Sequence, residues 1–223
     1  MCLRPFVSCV FHKAVLFSKI SQKNPKPKRN IQDSVFRRLF SSKENILDLY
    51  RTLHPEDSKT TVDDIDLLTL HHVPVNSMYN DLSFSVRDDR IILVEAQSTQ
   101  SPMITIRLFL YIADTLKDYL RKHHLIRMLY ANKLTRLPAI EAYVVYTGKG
   151  KIETKFLLLS KILKKGSFLD LTVKTIPFEE GRKEVIFHYM KFCMIFLETR
   201  DNYVKEAGKR CRELTDEEAA KSG

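Results

Sequence analysis

Residues 80–99 read NDLSFSVRDDRIILVEAQST, and this stretch decides the fold. Leu82, Phe84 and Val86 alternate with Asp81, Ser83 and Ser85. That period of two predicts a half-buried strand. RDDR at 87–90 is a short polar turn, and the run IILVEAQ that follows is rich in strand-forming residues. The two runs therefore predict a β-hairpin. The second run ends on Glu95 and Gln97, which stand two apart and so share a face. Asp81 opens the partner strand, so at the open end of the hairpin its carboxylate and that of Glu95 are placed to converge.

Two neighbouring carboxylates repel unless positive charge lies between them. Mg²⁺ suits such a pair, because it takes oxygen ligands and keeps several waters. A metal held there generates a nucleophilic water and stabilises charge building on an attacked phosphate. Gln97 offers a carbonyl oxygen to the metal or an amide to the water, but it is neither a base nor a cation. The competing reading is a set of polar residues on the solvent face of an edge strand. What sets these residues apart is the apolar run Ile91–Val94 that leads into them.

Outward from the hairpin the chain alternates helices and strands. DSVFRRLFSSKENILDLYRTLH places Val35, Phe36, Leu39, Phe40, Ile46, Leu47 and Tyr50 at offsets of three and four. This predicts an amphipathic helix broken near Ser41–Ser42, with Asp33 as its N-cap. IDLLTLHHV at 65–73 predicts a strand. Ser101 and Pro102 open a further helix whose apolar face runs through Ile104, Leu108, Tyr111, Ile112, Leu116, Tyr119 and Leu120. AIEAYVVYTG and FLDLTVKTI predict two more strands, and an apolar helical segment begins near Gly181. The expected class is α/β, a mixed sheet packed by helices.

Of the net charge of +10, residues 1–30 carry +7 without one acid. The rest is only mildly basic, so the total charge says little about nucleic acid, although a basic arm adds salt-sensitive attraction to phosphates. The expected organisation is a basic extension over 1–30, a folded domain over 31–204 and a polar tail over 205–223. Cys2, Cys9, Cys193 and Cys211 show no C-x-x-C spacing, which argues against a disulfide framework or zinc site and for a reducing, cytoplasmic setting. No run approaches a membrane span, and the first twenty residues do not fit a signal peptide.

The blocks DSVFRRLFSSKENILDLYRTLHPED, NDLSFSVRDDRIILVEAQST, IRLFLYIADTLKDYL and AYVVYTGKG, in this order, resemble the PD-(D/E)xK nuclease family transposases, the Rpn-type recombination-promoting nucleases. The resemblance spans roughly residues 30–200. It implies a restriction-endonuclease-like mixed sheet flanked by helices, and Mg²⁺-dependent hydrolysis of DNA phosphodiesters linked to recombination or mobile elements. It maps Asp81 and Glu95 to the metal-holding acids. Gln97 falls where the superfamily's name has lysine, a departure that removes that lysine's charge. Asp33 is the matching candidate for an additional acid, with a helix-cap role as the alternative. Glu44 reads as a solvated helix residue.

Arg107 and Tyr111 match the family's R-x-x-x-Y block. Arg107 is a candidate for a DNA phosphate contact or for bracing Glu95, with a surface ion pair as the alternative. Tyr111 reads as core. Lys117, Arg121 and Lys122 read as a solvated face, with a phosphate track as the alternative. His71–His72 and His123–His124 are adjacent pairs whose side chains diverge, so neither predicts a metal site. YTGKG at 146–150 lacks Walker spacing and reads as a strand end and turn; the family has Tyr-Asn-Gly where this chain has Thr147. The short C-terminus and the unmatched N-terminal extension fit a truncated mobile-element copy. Three functional classes follow: a metal-dependent endonuclease, a non-catalytic DNA-binding remnant, or a protein-interaction module on the same scaffold. DNA is the expected partner of the first two, without membrane association and with a homodimer open to any of them.

Overall fold

The computed structural model describes residues 30–68, 81–133, 136–148, 152, 154–199 and 201–202. The basic extension before residue 30, the 205–223 tail, His71–His72 and Lys149–Gly150 lie outside the described residues. The chain divides into two compact units, 1–35 and 36–223. The boundary falls inside helix α1, Asn30–Leu39.

A break after α1 and a new start at Ser42 give helix α2, Lys43–Leu53; Ser42 caps it by accepting from the Asn45 N–H at 3.4 Å. The expected break near Ser41–Ser42 is therefore present. Asp33 is not an N-cap, because α1 begins three residues earlier; it sits in the first turn, where a carboxylate still faces the positive end of the helix dipole.

Six strands follow: β1 Ile65–Leu67, β2 Leu82–Val86, β3 Arg90–Gln97, β4 Ala139–Tyr146, β5 Phe156–Leu158 and β6 Thr172–Ile176. Their order across the sheet is β1-β2-β3-β4-β6-β5. The first three form an antiparallel meander, β3, β4 and β6 run parallel, and β5 closes one edge antiparallel to β6. The mixed sheet flanked by helices is the class expected from the sequence. Helix α3, Ile104–Lys122, and the short helix α4, Ile126–Tyr130, make the crossover between β3 and β4. Residues 185–199 are helical and form α5.

The turn between β2 and β3 has a physical signature. Asp89 N–H donates to the Val86 carbonyl at 2.9 Å, and both residues between them, Arg87 and Asp88, have positive φ (49° and 57°). Positive φ at both centres is what a type I′ turn requires, and its twist matches that of the flanking strands. Asp tolerates this conformation better than Arg. Arg87 is held by two further bonds, from its N–H to the Asp64 carbonyl at 3.0 Å and from its guanidinium to Asp57 at 2.5 Å.

β2 differs from its expected half-buried state. All five of its residues are buried, Ser83 and Ser85 included. Its serines stand opposite Leu93 and Ile91 and so lie on the face that packs under α3, which is buried too. The odd-numbered residues of β3 face α3: Ile91 and Leu93 join Leu108, Tyr111, Tyr119, Ala142 and Val144 in one core cluster. Each such buried aliphatic contributes about 1.5–3 kcal/mol. On the other face His54, which ends α2, bonds Glu141 of β4, and the N–H of Val185 at the start of α5 donates to Asp48 of α2 at 2.8 Å.

The other face also carries a polar cluster that links distant segments. His54 Nε2 lies 2.8 Å from Glu141 Oε2 and its Nδ1 lies 3.0 Å from Glu56. Arg90 and the Tyr143 hydroxyl both donate to Glu141, at 2.7 and 2.6 Å. Burial pushes the Glu141 carboxyl up, but Tyr143, Arg90 and His54 outweigh it and hold the group below its ordinary value. The same burial and the nearby carboxylate push the Tyr143 hydroxyl well up. A carboxyl lowered on folding stabilises the fold above its unfolded pKa, and that contribution is lost as pH falls through the folded value. We therefore expect thermal stability to decline as pH falls below about 4.5. Glu141→Gln should lower stability at pH 7 by about 1–3 kcal/mol and make the acid decline shallower in differential scanning fluorimetry. An unchanged acid slope would show that Glu141 does not supply it.

Candidate functional site

The register of the hairpin builds the site. Leu82 pairs with Val94, so one further step along both strands sets Asp81 opposite Glu95. Residues directly opposite share a face, and Gln97 follows Glu95 on that same face. All three sit at the carboxyl end of β3, where α3 begins.

The two carboxylates are fastened by each other's backbone. The Asp81 N–H donates to Glu95 Oε2 at 3.2 Å, and the Ala96 N–H donates to Asp81 Oδ2 at 2.8 Å. Glu95 is only 2% exposed, whereas Asp81 and Gln97 are half-buried. The site is therefore closed at Glu95 and open towards the strand end. A charge buried as deeply as Glu95 needs a partner. Arg107, one turn into α3, supplies it: Nη2 donates to Glu95 Oε1. Of the sequence readings for Arg107, the brace on Glu95 is the one formed.

Burial pushes the Arg107 guanidinium down, but the Tyr111 hydroxyl and the charges of Glu95 and Asp81 outweigh it and raise it overall. Its Nε and Nη2 both reach towards the Tyr111 hydroxyl at 3.4 Å, and the guanidinium lies 5.9 Å from the Tyr111 ring centre. Tyr111 belongs to the core, as expected, and its buried hydroxyl is pushed up by desolvation.

Gln97 is anchored through its main chain, whose carbonyl accepts from the Thr147 N–H at 2.8 Å. Among the described residues no group bonds its side-chain amide. Just beyond, the segment that ends β4 crosses Ser98 at very close range. A Cβ added at Gly148 would lie 1.9 Å from the Ser98 carbonyl oxygen and 2.6 Å from the Tyr146 hydroxyl. Only glycine fits there. The strand end of YTGKG is thus present, with β4 closing at Tyr146, and Gly148 is what lets the two segments approach so closely. The glycine closing an apolar strand was the signal in the sequence, but the surface it meets was not visible there.

The other candidates are placed elsewhere. Asp33 belongs to the unit 1–35, and the carboxylate pair belongs to the unit 36–223. Glu44 is an exposed residue of the first turn of α2, bonded by the Ser42 hydroxyl, as read from the sequence. His123 lies 3.8 Å from Asp88, whereas exposed His124 has positive φ. Ser101 is not the N-cap of α3, which starts two residues after Pro102; its hydroxyl accepts from the Met103 N–H at 3.3 Å and its carbonyl accepts from the Ile104 N–H at 3.3 Å in a lead-in turn. Sequence reasoning missed the Glu141 cluster, because its members are brought together from α2, β3 and β4.

Among the described residues no group of three or more His, Cys, Asp or Glu side chains is arranged to hold a metal. The pair Asp81 and Glu95 with the Gln97 carbonyl offers a smaller set of hard oxygen donors. Carboxylate and amide oxygens are the hard donors that Mg²⁺ takes, so the donor chemistry fits Mg²⁺ with water completing its shell. Among the described residues no helix is long and apolar enough to cross a membrane. Comparison with family models, curated proteins and solved structures finds no match.

Two outcomes follow from this geometry. Arg107→Met leaves the Glu95 charge without its partner and should cost about 2 kcal/mol in urea unfolding, less than for a fully buried pair because Arg107 is 41% exposed. Adding Glu95→Gln should recover part of that loss. Gly148→Ala should cost about 1–3 kcal/mol or more by overpacking; a variant as stable as the parent would show that Ser98 can move away freely.

Proposed function

We propose that the chain is a Mg²⁺-dependent DNA endonuclease of the PD-(D/E)xK transposase type. One observation carries this reading: Asp81 and Glu95 face each other across the open end of the hairpin, with Gln97 beside them on the same face. Its second support is the series of four sequence blocks in the family's order.

In this reading Asp81 and Glu95 would hold the metal, with the Gln97 carbonyl as a further donor. The bound ion would supply a Lewis acid for the phosphate and a water made nucleophilic at neutral pH. The chain's own residues do the rest. The backbone N–H groups of Asp81 and Ala96 fix the two carboxylates before any ligand arrives. The uncommitted Gln97 amide orients a water by donating or accepting a hydrogen bond. Arg107 pairs with Glu95 and presents its remaining N–H donors to a phosphate at the open side. It also brings to the site a positive charge that Gln97 cannot.

A second reading, a DNA-binding remnant without turnover, is favoured by one feature. Arg107 already neutralises the buried Glu95, so the site is satisfied without a metal. Plasmid nicking separates the two. Purified protein with Mg²⁺ should nick supercoiled DNA, EDTA should abolish it, and Asp81→Ala or Glu95→Ala should lower the rate by about 100-fold or more. DNA binding with no nicking would select the remnant. Metal-dependent nicking that survives both substitutions would remove the site assignment.

A further inference from the structure

Two acid-free runs carry cations that the carboxylate site does not use. Between Asp118 and Glu141 stand Arg121, Lys122, Arg127, Lys133 and Arg136; between Glu153 and Asp170 stand Lys155, Lys161, Lys164 and Lys165. Arg121 pairs with Asp118 at 3.5 Å. Lys122, Arg127, Lys133, Arg136, Lys161, Lys164 and Lys165 are all exposed, and among the described residues no carboxylate pairs with them.

The topology brings both runs to one end of the sheet. α3 starts at the carboxyl end of β3 and runs back, so that its Tyr119 hydroxyl reaches Asp88 in the β2–β3 turn at 3.3 Å. The residues after α3 therefore lie at the amino ends of β3 and β4. β5 is antiparallel to β6, with Leu158 opposite Thr172, so the loop between them leaves at the amino end of β6. Leu125 from the first run and Leu171 at the close of the second pack against the same core cluster. The carboxylate pair lies at the opposite end, separated by about the length of α3, on the order of 28 Å.

Each run also displays an aromatic ring that the fold does not use. Tyr130 is 84% exposed and Phe168 is wholly exposed. Phe168 is presented on a closed loop, because the Ser160 N–H and hydroxyl donate to both oxygens of Asp170 at 2.9 and 3.0 Å. Unpaired cations around exposed rings match the physical requirements of an unpaired nucleic-acid strand. The cations meet phosphates, and the rings stack on base faces that a duplex keeps covered.

We propose that this end of the sheet is a second DNA contact, selective for single-stranded or unpaired DNA. Lys122, Arg127, Lys133, Arg136 and the lysines of the 161–165 loop meet its phosphates, and Tyr130 and Phe168 stack on its bases. The proposal rests on DNA being the substrate. It means that a strand is gripped at a point distant from the site of cleavage.

Fluorescence anisotropy on the full chain tests this. The probes are a labelled single strand of roughly twenty nucleotides and the matching duplex, in EDTA, from about 50 to 200 mM salt. The basic N-terminal residues are common to every variant, so differences report this surface. Tyr130→Ala with Phe168→Ala should weaken single-strand binding by about tenfold or more, with duplex binding nearly unchanged. Arg127→Gln, Lys133→Gln and Arg136→Gln together should lower the salt slope for the single strand by about 2. All five side chains are exposed, and circular dichroism is the check that the variants fold. Unchanged single-strand affinity in the aromatic double variant, or an unchanged slope in the charge variant, would overturn the proposal. So would binding to phosphatidylserine vesicles that depends on Phe168 while oligonucleotide binding does not, an outcome that would assign the surface to a membrane. Absent nicking with this selectivity intact would count against the nuclease reading alone. Nicking with no single-strand selectivity would count against this surface alone.

Discussion

A buried carboxylate cannot be placed near the end of a strand without a counter-charge and hydrogen bonds to hold it. Glu95 meets both demands through the hairpin and the helix that follows it. The hairpin register brings in the Asp81 N–H, and α3 brings in Arg107. These contacts tie three consecutive pieces of chain, β2, β3 and α3, into one unit. The type I′ turn at Arg87–Asp88 fixes the register on which the arrangement rests. A slip of one residue would turn Glu95 to the other face and leave Arg107 without its partner.

The hairpin and the shared face of Glu95 and Gln97 were legible in the sequence, because period two speaks directly about which way a side chain points. The same was true of the break at Ser41–Ser42 and of the long apolar face of α3. Features set by packing were not legible. Ser83 and Ser85 look like solvent residues until the register sets them opposite Leu93 and Ile91, on the face under α3. β5 was missed because three residues carry too little pattern to separate a strand from a loop, and the predicted strand FLDLTVKTI shrank to its second half because Phe168 to Leu171 belong to a loop. The pairing of His54 with Glu141 joins residues 87 positions apart, beyond the reach of any local rule.

The two faces of the sheet divide their tasks. The face under α3 is apolar through most of its length and ends in the carboxylate pair. The other face holds the Glu141 cluster, which fastens α2 to β3 and β4 near their amino ends. Both clusters rest on a buried or half-buried carboxylate that accepts from an arginine, with a tyrosine bonding Glu141 in one and Arg107 in the other, yet they differ in access. The groups around Glu141 are engaged with one another, whereas the Gln97 amide has no bonding partner among the described residues and Arg107 is partly exposed.

The clasp that holds the carboxylates draws on main-chain N–H groups, which every residue but proline supplies. An asparagine at position 81 would accept the same bond from Ala96 as the aspartate does. The shape of the motif and its charge are therefore inherited separately. A lineage can lose the charge in a single step while its hairpin keeps its architecture, and can regain it by the reverse step without refolding anything.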